Sequence, residues 1–372
     1  MLEQRLLEKA IGDAGRLIAA EPFGEGRIAR FTVDAGPDSG EWFVDTSRQA
    51  VAAETGFVVR DSAGAVVARI WRHPLDPRLP ALRLATDPIS IARIAAAAGS
   101  EGEVQARVLA YRPGRRAVVR LSQHDTHLFV KVVRPGEAED LAAIHEACRV
   151  AGVPAPQVVH WTPAGVVVVR DAEGTPGPVA AKRLGVHELL AAVDALREQL
   201  LGVRTRRLAR ASVGSRLDWH VERLSEALPE RAADLQALAA TVAPHLARRG
   251  AARVVHGDLH IGQLFFAGAE VSSVIDVDTA GLGDPSDDAA AFIGHATASA
   301  VRNEVMGRGA DARILHELGE AAADRWGTDP HTAALTSLHL VGHAIRTVGR
   351  SAEAAGLMLD EALDLHRIRR SA

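Results

Sequence analysis

The sequence holds a single cysteine, Cys148, in 372 residues. That excludes an internal disulfide framework and fits a reducing, cytoplasmic compartment. Cys148 sits in an apolar helical pattern, so a buried structural thiol is expected there rather than a nucleophile. Lysine is nearly absent too: of 43 basic residues only Lys9, Lys131 and Lys182 are lysines. Where arginine fills almost every basic position, a lysine kept in a strand marks a place that needs a compact ammonium rather than a planar fork. No segment has 18 uncharged apolar residues in a row, so no membrane span is expected. Charges interrupt the first twenty residues, which reads as neither a signal peptide nor an anchor. A basic tract is also missing and the formal net charge is -4, so nucleic acid is not expected as a partner.

What is present is an ordinary globular composition, 47% hydrophobic with interspersed charge, long enough for two or three compact units. Leu2, Leu6, Leu7, Ala10, Ile11, Ala14, Leu17 and Ile18 recur at helical spacing and predict an opening amphipathic helix. RIARFTV, EWFVD, GFVVRD and AVVARIWR alternate like strands between the turn signals DAGPDSG and DSAG. Four prolines in HPLDPRLPALRLATDP (73–88) preclude a continuous helix and mark a linker or docking segment. Residues 1–95 therefore read as a β-rich cap module. A second β-rich stretch, 96–172, has two strands across Pro113-Gly114, a third in THLFVKVVR, and a helix that stops at Gly152 before Pro154. A hairpin follows in APQVVHWTPAGVVVVRDAEG. Residues 173–372 are mainly helical, with a polar β-type insert at 254–278. The fold class expected is α+β.

The insert begins VVHGDLHIGQLFF (254–266), and three readings fit it. The first is metal binding by His256, Asp258 and His260, which an extended segment would place on one face. Metallophosphoesterases carry a similar GD-x-H segment, but their further G-N-H and G-D-x-x-D-R-G motifs are missing. In the second, the histidines are satisfied turn or core residues and Asp258 caps a turn. The third is a phosphoryl-transfer loop. Protein kinases use H-R-D-x-x-x-x-N, in which the Asp accepts the substrate hydroxyl proton and the Asn holds magnesium. His256, Asp258 and Gln263 keep that spacing with Gln for Asn. Asp276 follows at the end of an apolar strand in VSSVIDVD. Lys131 lies upstream, on a strand before a helix. These features in one order are far more specific than any single motif.

HGDLHIGQ, VIDVD and GDPSDD together resemble the aminoglycoside phosphotransferase-like branch of the kinase fold. The Gln variant, the stretch YRPGRRAVVRL and the cap module are similar to the actinobacterial maltokinases and glucosamine kinases. The resemblance implies a two-lobed protein-kinase-like fold, with a β-rich N-lobe and a helical C-lobe behind the N-terminal cap. It also implies an ATP- and magnesium-dependent transfer to a hydroxyl of a small molecule: a sugar or aminosugar first, an aminoglycoside second. A metallophosphoesterase-type hydrolase and a catalytically silent kinase-like binding module are the readings from other classes. In the kinase reading Asp258 is the base, Gln263 and Asp276 hold the metal through hard oxygen donors, and Lys131 meets the nucleotide phosphates. Glu139, or failing that Glu146, pairs with Lys131. His256 braces the loop, while Asp284 and Asp288 cap a helix and brace the loop. Asp278 shares a face with Asp276 if the strand continues, to touch the metal or accept backbone donors. His260 meets phosphate or fills the loop. His339 and His343 are core or groove histidines; Trp219 and Trp326 are read as core first, with stacking on a sugar face as the alternative. The glycine signature of kinases is absent, and Arg115 and Arg116 at the hairpin tip read as solvated. The segment 171–174 would be the hinge.

Overall fold

The computed structural model describes every residue except 35, 101, 248, 249 and 368–372. The chain forms two compact units, Met1–Ala143 with Gln157–Asp171 and Ile144–Pro156 with Ala172–Ala372.

The first unit opens with α1 (Leu2–Ile11), stopped by a left-handed Gly12. The expected helix is therefore shorter than its periodicity. Gly12 takes φ 79°, a conformation that costs glycine little and ends a helix. Leu17 and Ile18 fall instead in β1 (Arg16–Phe23) and are exposed. With β2 (Gly26–Val33), β3 (Gly40–Asp45), β4 (Phe57–Arg60) and β5 (Val66–Arg72) it makes an antiparallel sheet of order β1-β2-β3-β5-β4. Alternation sends Ala29, Phe31 and Val33 of β2 to one face, where Leu7 of α1 covers them, and Ile28 to the other with Phe43 and Trp71.

The proline-rich segment 73–88 docks. Leu79 and Leu82 are fully buried and join Ile91 and Ile94 of α2 (Pro88–Ala97) in the core of the second sheet. That sheet comprises β6 (Gln105–Arg112), β7 (Arg116–Gln123) and β8 (Thr126–Val132). After α3 (Glu137–Val150) come β9 (Val158–Thr162) and β10 (Val166–Arg170), in the order β6-β7-β8-β10-β9. Asp76, fully buried, connects the two sheets. Its Oδ2 accepts from the Tyr111 hydroxyl (2.8 Å) and the Gly114 N–H (2.7 Å) at the β6–β7 turn, and its Oδ1 accepts from Arg78 N and Leu79 N. Arg115 at that tip is exposed, as expected, and it also donates to Pro22 O and lies over the Phe23 ring.

The second unit contains β11 (Thr175–Pro176), α4 (Gly177–Ala180), α5 (Val186–Leu201), α6 (Leu217–Ala227), α7 (Ala232–Leu246), β12 (Arg253–Val255), β13 (Leu264–Ala267), β14 (Glu270–Val274), β15 (Gly281–Gly283), α8 (Pro285–Val305), α9 (Gly309–Trp326), α10 (Pro330–Thr347) and α11 (Ala352–Arg367). Helices α8 and α10 begin with Asp-Pro, and the Asp284 and Asp329 side chains accept from Ser286 N and Thr332 N. This satisfies orphan first-turn donors, with proline at N1. The apolar faces of α6, α7, α8, α10 and α11 make one core. Two small ribbons, β11-β13-β14 and β12-β15, carry the polar insert. A β-rich N-terminal lobe followed by a helical C-terminal region is the kinase-like fold that the motifs implied. No helix among the described residues is long and apolar enough to cross a membrane.

Candidate active site

The HGD loop leaves β12 and is held mainly through backbone bonds. Asp288, in the first turn of α8 and buried, takes the His256 N–H on Oδ2 (2.7 Å) and the Gly257 N–H on Oδ1 (2.8 Å). Burial pushes its carboxyl up, while those bonds and the neighbouring His256 pull it down. Gly257 is required: it has φ 81°, and a Cβ there would sit 2.6 Å from Thr279 O. The His256 Nε2–H donates to Ile275 O (2.9 Å), and Thr279 Oγ1 donates to His256 O (2.8 Å) and Asp276 O (3.1 Å). The bracing roles expected for His256 and Asp288 follow from these bonds, and Asp284 caps α8 and also accepts from Gly250 N (2.7 Å).

Those contacts bring the loop against the end of β14. Ile275 N donates to the Gln263 carbonyl (2.9 Å), which puts Gln263 beside the residue preceding Asp276. Asp276 adopts φ 59°. A left-handed aspartate is tolerated but uncommon, and such positions cluster at functional sites. The strand ends before Asp276, so the condition for Asp276 and Asp278 to share a face is not met and the turn position expected as the alternative is the one observed. A 3₁₀ turn follows over Val277–Thr279, and Asp278 meets His145 Nε2 at 3.2 Å instead.

Gln263 is 4% exposed and its side-chain Oε1 has no hydrogen-bond partner among the described residues. A buried, unsatisfied acceptor is costly and needs a reason. An oxygen so placed beside the Asp276 position fits a hard divalent cation such as magnesium. The three residues of the alternative metal reading do not converge. His256 turns to Ile275 O, Asp258 to Arg210, and the Nδ1 of His260 to Gly262 N.

Asp258 accepts from Arg210 Nη1 at 2.8 Å, and His295 Nε2 lies 3.7 Å from its other oxygen. Burial would raise its pKa. The interaction with His295 and the charges of Arg210, His295 and His260 outweigh burial and hold the carboxyl well below the carboxylate range. Asp258 is thus a carboxylate at any pH of interest. Arg210 is placed by a strand-like segment beside β15, where Ala209 N donates to Leu282 O and Arg210 N to Thr279 O. His260 stacks on His295 (4.1 Å, 10°), and His343 meets His295 edge to face at 4.3 Å. Gly294 permits this: a Cβ there would lie 2.6 Å from the Cβ of His339, so α8 and α10 approach closely. His339 and His343 are thus groove histidines grouped with His295 near Asp258. Arg210 and His295 carried no sequence signal, because neither lies in a recurring motif and both reach Asp258 only through packing.

Burial, with the charge of His295 next, lowers His260 and His339 to about 3, and it lowers His343 as well. Unfolded histidine titrates near 6.5. Below that pH the unfolded chain takes up protons that the folded chain refuses, so these groups favour folding fully above about pH 6.5 and progressively less below it. Each contributes at most about 1.4 kcal/mol per pH unit. Asp287, Asp288 and Glu361, raised by burial, act in the opposite sense. The expected outcome is a fall in Tm from pH 7 to pH 5, with a shallower slope in His343→Leu. Equal slopes would contradict it.

Lys131 lies on β8 between Val118 and Val167 in the first unit. Glu139 and Glu146 are exposed on α3. Trp219 is 43% exposed, not core as expected, because it lies on the outer side of α6. Trp326 packs on Phe292 and donates to Asp194. Cys148 is fully buried, and burial pushes its thiol up to about 11.

Residues 108–334 match the family described as the phosphotransferase enzyme family (APH). A search of curated proteins returns no match. Among solved structures, a thermostable mutant of aminoglycoside phosphotransferase APH(4)-Ia, crystallised with AMP-PNP and hygromycin B, has TM-score 0.50 and 11% identity, over 74% of this chain and 98% of its own. The macrolide 2'-phosphotransferase MphH from Brachybacterium faecium has TM-score 0.41 and 17% identity, over 73% and 97%. At 11% identity the likeness to APH(4)-Ia concerns the fold alone.

Proposed function

Because the chain belongs to the phosphotransferase enzyme family, we propose that it is an ATP- and magnesium-dependent kinase whose acceptor is a hydroxyl of a sugar or aminosugar. Membership of the family makes it a small-molecule phosphotransferase that uses ATP. The observation supporting the finer reading is the orphaned Oε1 of Gln263 beside the left-handed Asp276. The Gln variant is also what separates this loop from the Asn form. An aminoglycoside acceptor is the second reading, favoured by the acceptors named for related folds.

In the proposed mechanism the acceptor hydroxyl donates a hydrogen bond to Asp258. Its oxygen attacks the γ-phosphorus, the bond to the β–γ bridging oxygen breaks, ADP leaves, and the proton passes to Asp258 and then to solvent. A carboxylate this acidic cannot pull the proton away early. It orients the hydroxyl and receives the proton late, which suits a loose, largely dissociative transition state. Gln263 Oε1 and the Asp276 carboxylate would hold magnesium, which when bound neutralises charge on the phosphate oxygens. Lys131 would meet the α- and β-phosphates, and Glu139 would orient Lys131.

Thermal unfolding with ATP, magnesium, or both tests this reading. The pair together should raise Tm well beyond either alone, since only the complex fills the site. A panel of sugars, aminosugars and aminoglycosides assayed for ATP consumption then identifies the acceptor. Release of phosphate from simple esters with no nucleotide present would favour a hydrolase. Nucleotide binding without transfer to any acceptor would favour a silent module.

A further inference from the structure

The two oxygens of Asp258 are held differently. Oδ2 accepts a charged hydrogen bond from Arg210 Nη1 at 2.8 Å, whereas Oδ1 faces His295 Nε2 at 3.7 Å. That gap is longer than a hydrogen bond, yet one hydroxyl oxygen can lie about 2.8 Å from both atoms. Neither side chain is sealed off: Asp258 is 24% and His295 19% exposed. The His295 ring is nevertheless fixed. His260 stacks on it (4.1 Å, 10°), His343 meets it edge to face (4.3 Å, 89°), and among the described residues neither ring nitrogen is tied up in a hydrogen bond. His295 stands seven residues after Asp288 on α8, two turns on and on the same face. Asp288 holds the His256 and Gly257 N–H groups, so one helix places both the HGD loop and this ring, the support a reacting group needs. A neutral imidazole carries its proton on one nitrogen. The Asp258 carboxylate favours the form with the N–H at Nε2, because a lone pair there would face a negative oxygen.

We propose that His295 is the second group that holds the acceptor: its Nε2–H donates to the hydroxyl oxygen while that hydroxyl donates to Asp258 Oδ1. This rests on the kinase reading and adds a residue to it. No proton moves to His295. As the oxygen bonds to the γ-phosphorus and the bond to the β–γ bridging oxygen breaks, the hydroxyl proton goes to Oδ1. Asp258 alone would leave the hydroxyl free to turn about a single hydrogen bond, and a second fixed contact sets its direction. With one lone pair on Nε2–H, an alcohol oxygen keeps its other lone pair for phosphorus. A neutral amine has only one, which Nε2–H would occupy, so the site takes alcohols and rejects amines.

Two variants separate donation from packing. His295→Phe keeps a ring against His260 and removes the donor. His295→Gln loses the ring and returns an amide N–H near the Nε2 position. Turnover of ATP is measured with glucose and glucosamine as acceptors and with water alone, beside AMP-PNP affinity by calorimetry and Tm. His295→Phe should lower kcat/KM for the acceptor by about tenfold to a hundredfold, and His295→Gln should recover most of that loss. AMP-PNP affinity should be unchanged in both. Tm should rank them the other way, with Phe closer to the wild type, so stability cannot account for the activities. Phe the more active variant, equal losses in the two, or a loss of AMP-PNP affinity matching the loss of turnover would overturn the proposal. If neither sugar is phosphorylated but ATP is hydrolysed, the sugar-acceptor reading fails, while the hydrolysis rates still decide the role of His295, because water then takes the place of the hydroxyl. Transfer by the wild type to neither sugar nor water overturns both.

Discussion

Asp258→Asn is expected to reduce kcat by about a hundredfold to ten-thousandfold, the range for loss of a general base, while AMP-PNP affinity stays within about twofold. The amide keeps the shape of the side chain and one oxygen for the Arg210 guanidinium, which donates at 2.8 Å. In the proposed mechanism the lost negative charge no longer orients the acceptor hydroxyl or takes its proton. Removing a group that acts only in the transition state lowers kcat and kcat/KM together. Steady-state kinetics with the best acceptor, beside calorimetric titration with AMP-PNP, measures both quantities. Full activity in Asp258→Asn would remove this residue from the chemistry and the HGD loop with it.

Gln263→Leu should move stability and activity in opposite directions. The wild-type Oε1 is buried and unpartnered, and replacing such a group by an apolar one of similar size recovers about 1–3 kcal/mol. Tm without ligands should therefore rise. Magnesium-dependent turnover should fall by about two orders of magnitude, because leucine offers no hard oxygen. The further rise in Tm that ATP with magnesium gives the wild type should shrink as well. A residue placed there for packing alone would lower Tm on replacement and leave the magnesium dependence intact. Thermal scans with and without ATP and magnesium separate the two cases.

The loop was legible through its motif spacing: His256 and Asp258 follow β12, Gln263 closes the next turn, and Asp276 follows the end of β14. The strands were legible through alternation, as in β2. The end of α1 was misread, because Leu17 and Ile18 continue a helical period across Gly12, and only the left-handed backbone there settles the matter. Asp278 shares a face with Asp276 only if the strand continues, and a strand pattern does not announce the positive φ at Asp276 that ends it. Arg210 and His295 carry no such signal. Arg210 reaches Asp258 from beside β15 and His295 reaches it from α8, and contacts between residues so far apart in the sequence leave no period to read.

The buried carboxylate of Asp76 has a consequence for how the chain can be cut. The stretch matched to the family starts at Val108, so the residue that holds the β6–β7 turn lies outside it. Compact units are commonly joined by exposed, polar linkers that few contacts cross. Here the join is a buried carboxylate. A chain begun at β6 would leave the Tyr111 hydroxyl and the Gly114 N–H without their acceptor and expose the apolar side chains that Leu79 and Leu82 cover. The leading segment and the turn it fastens are therefore one structural piece, and a cut between them should cost stability on both sides.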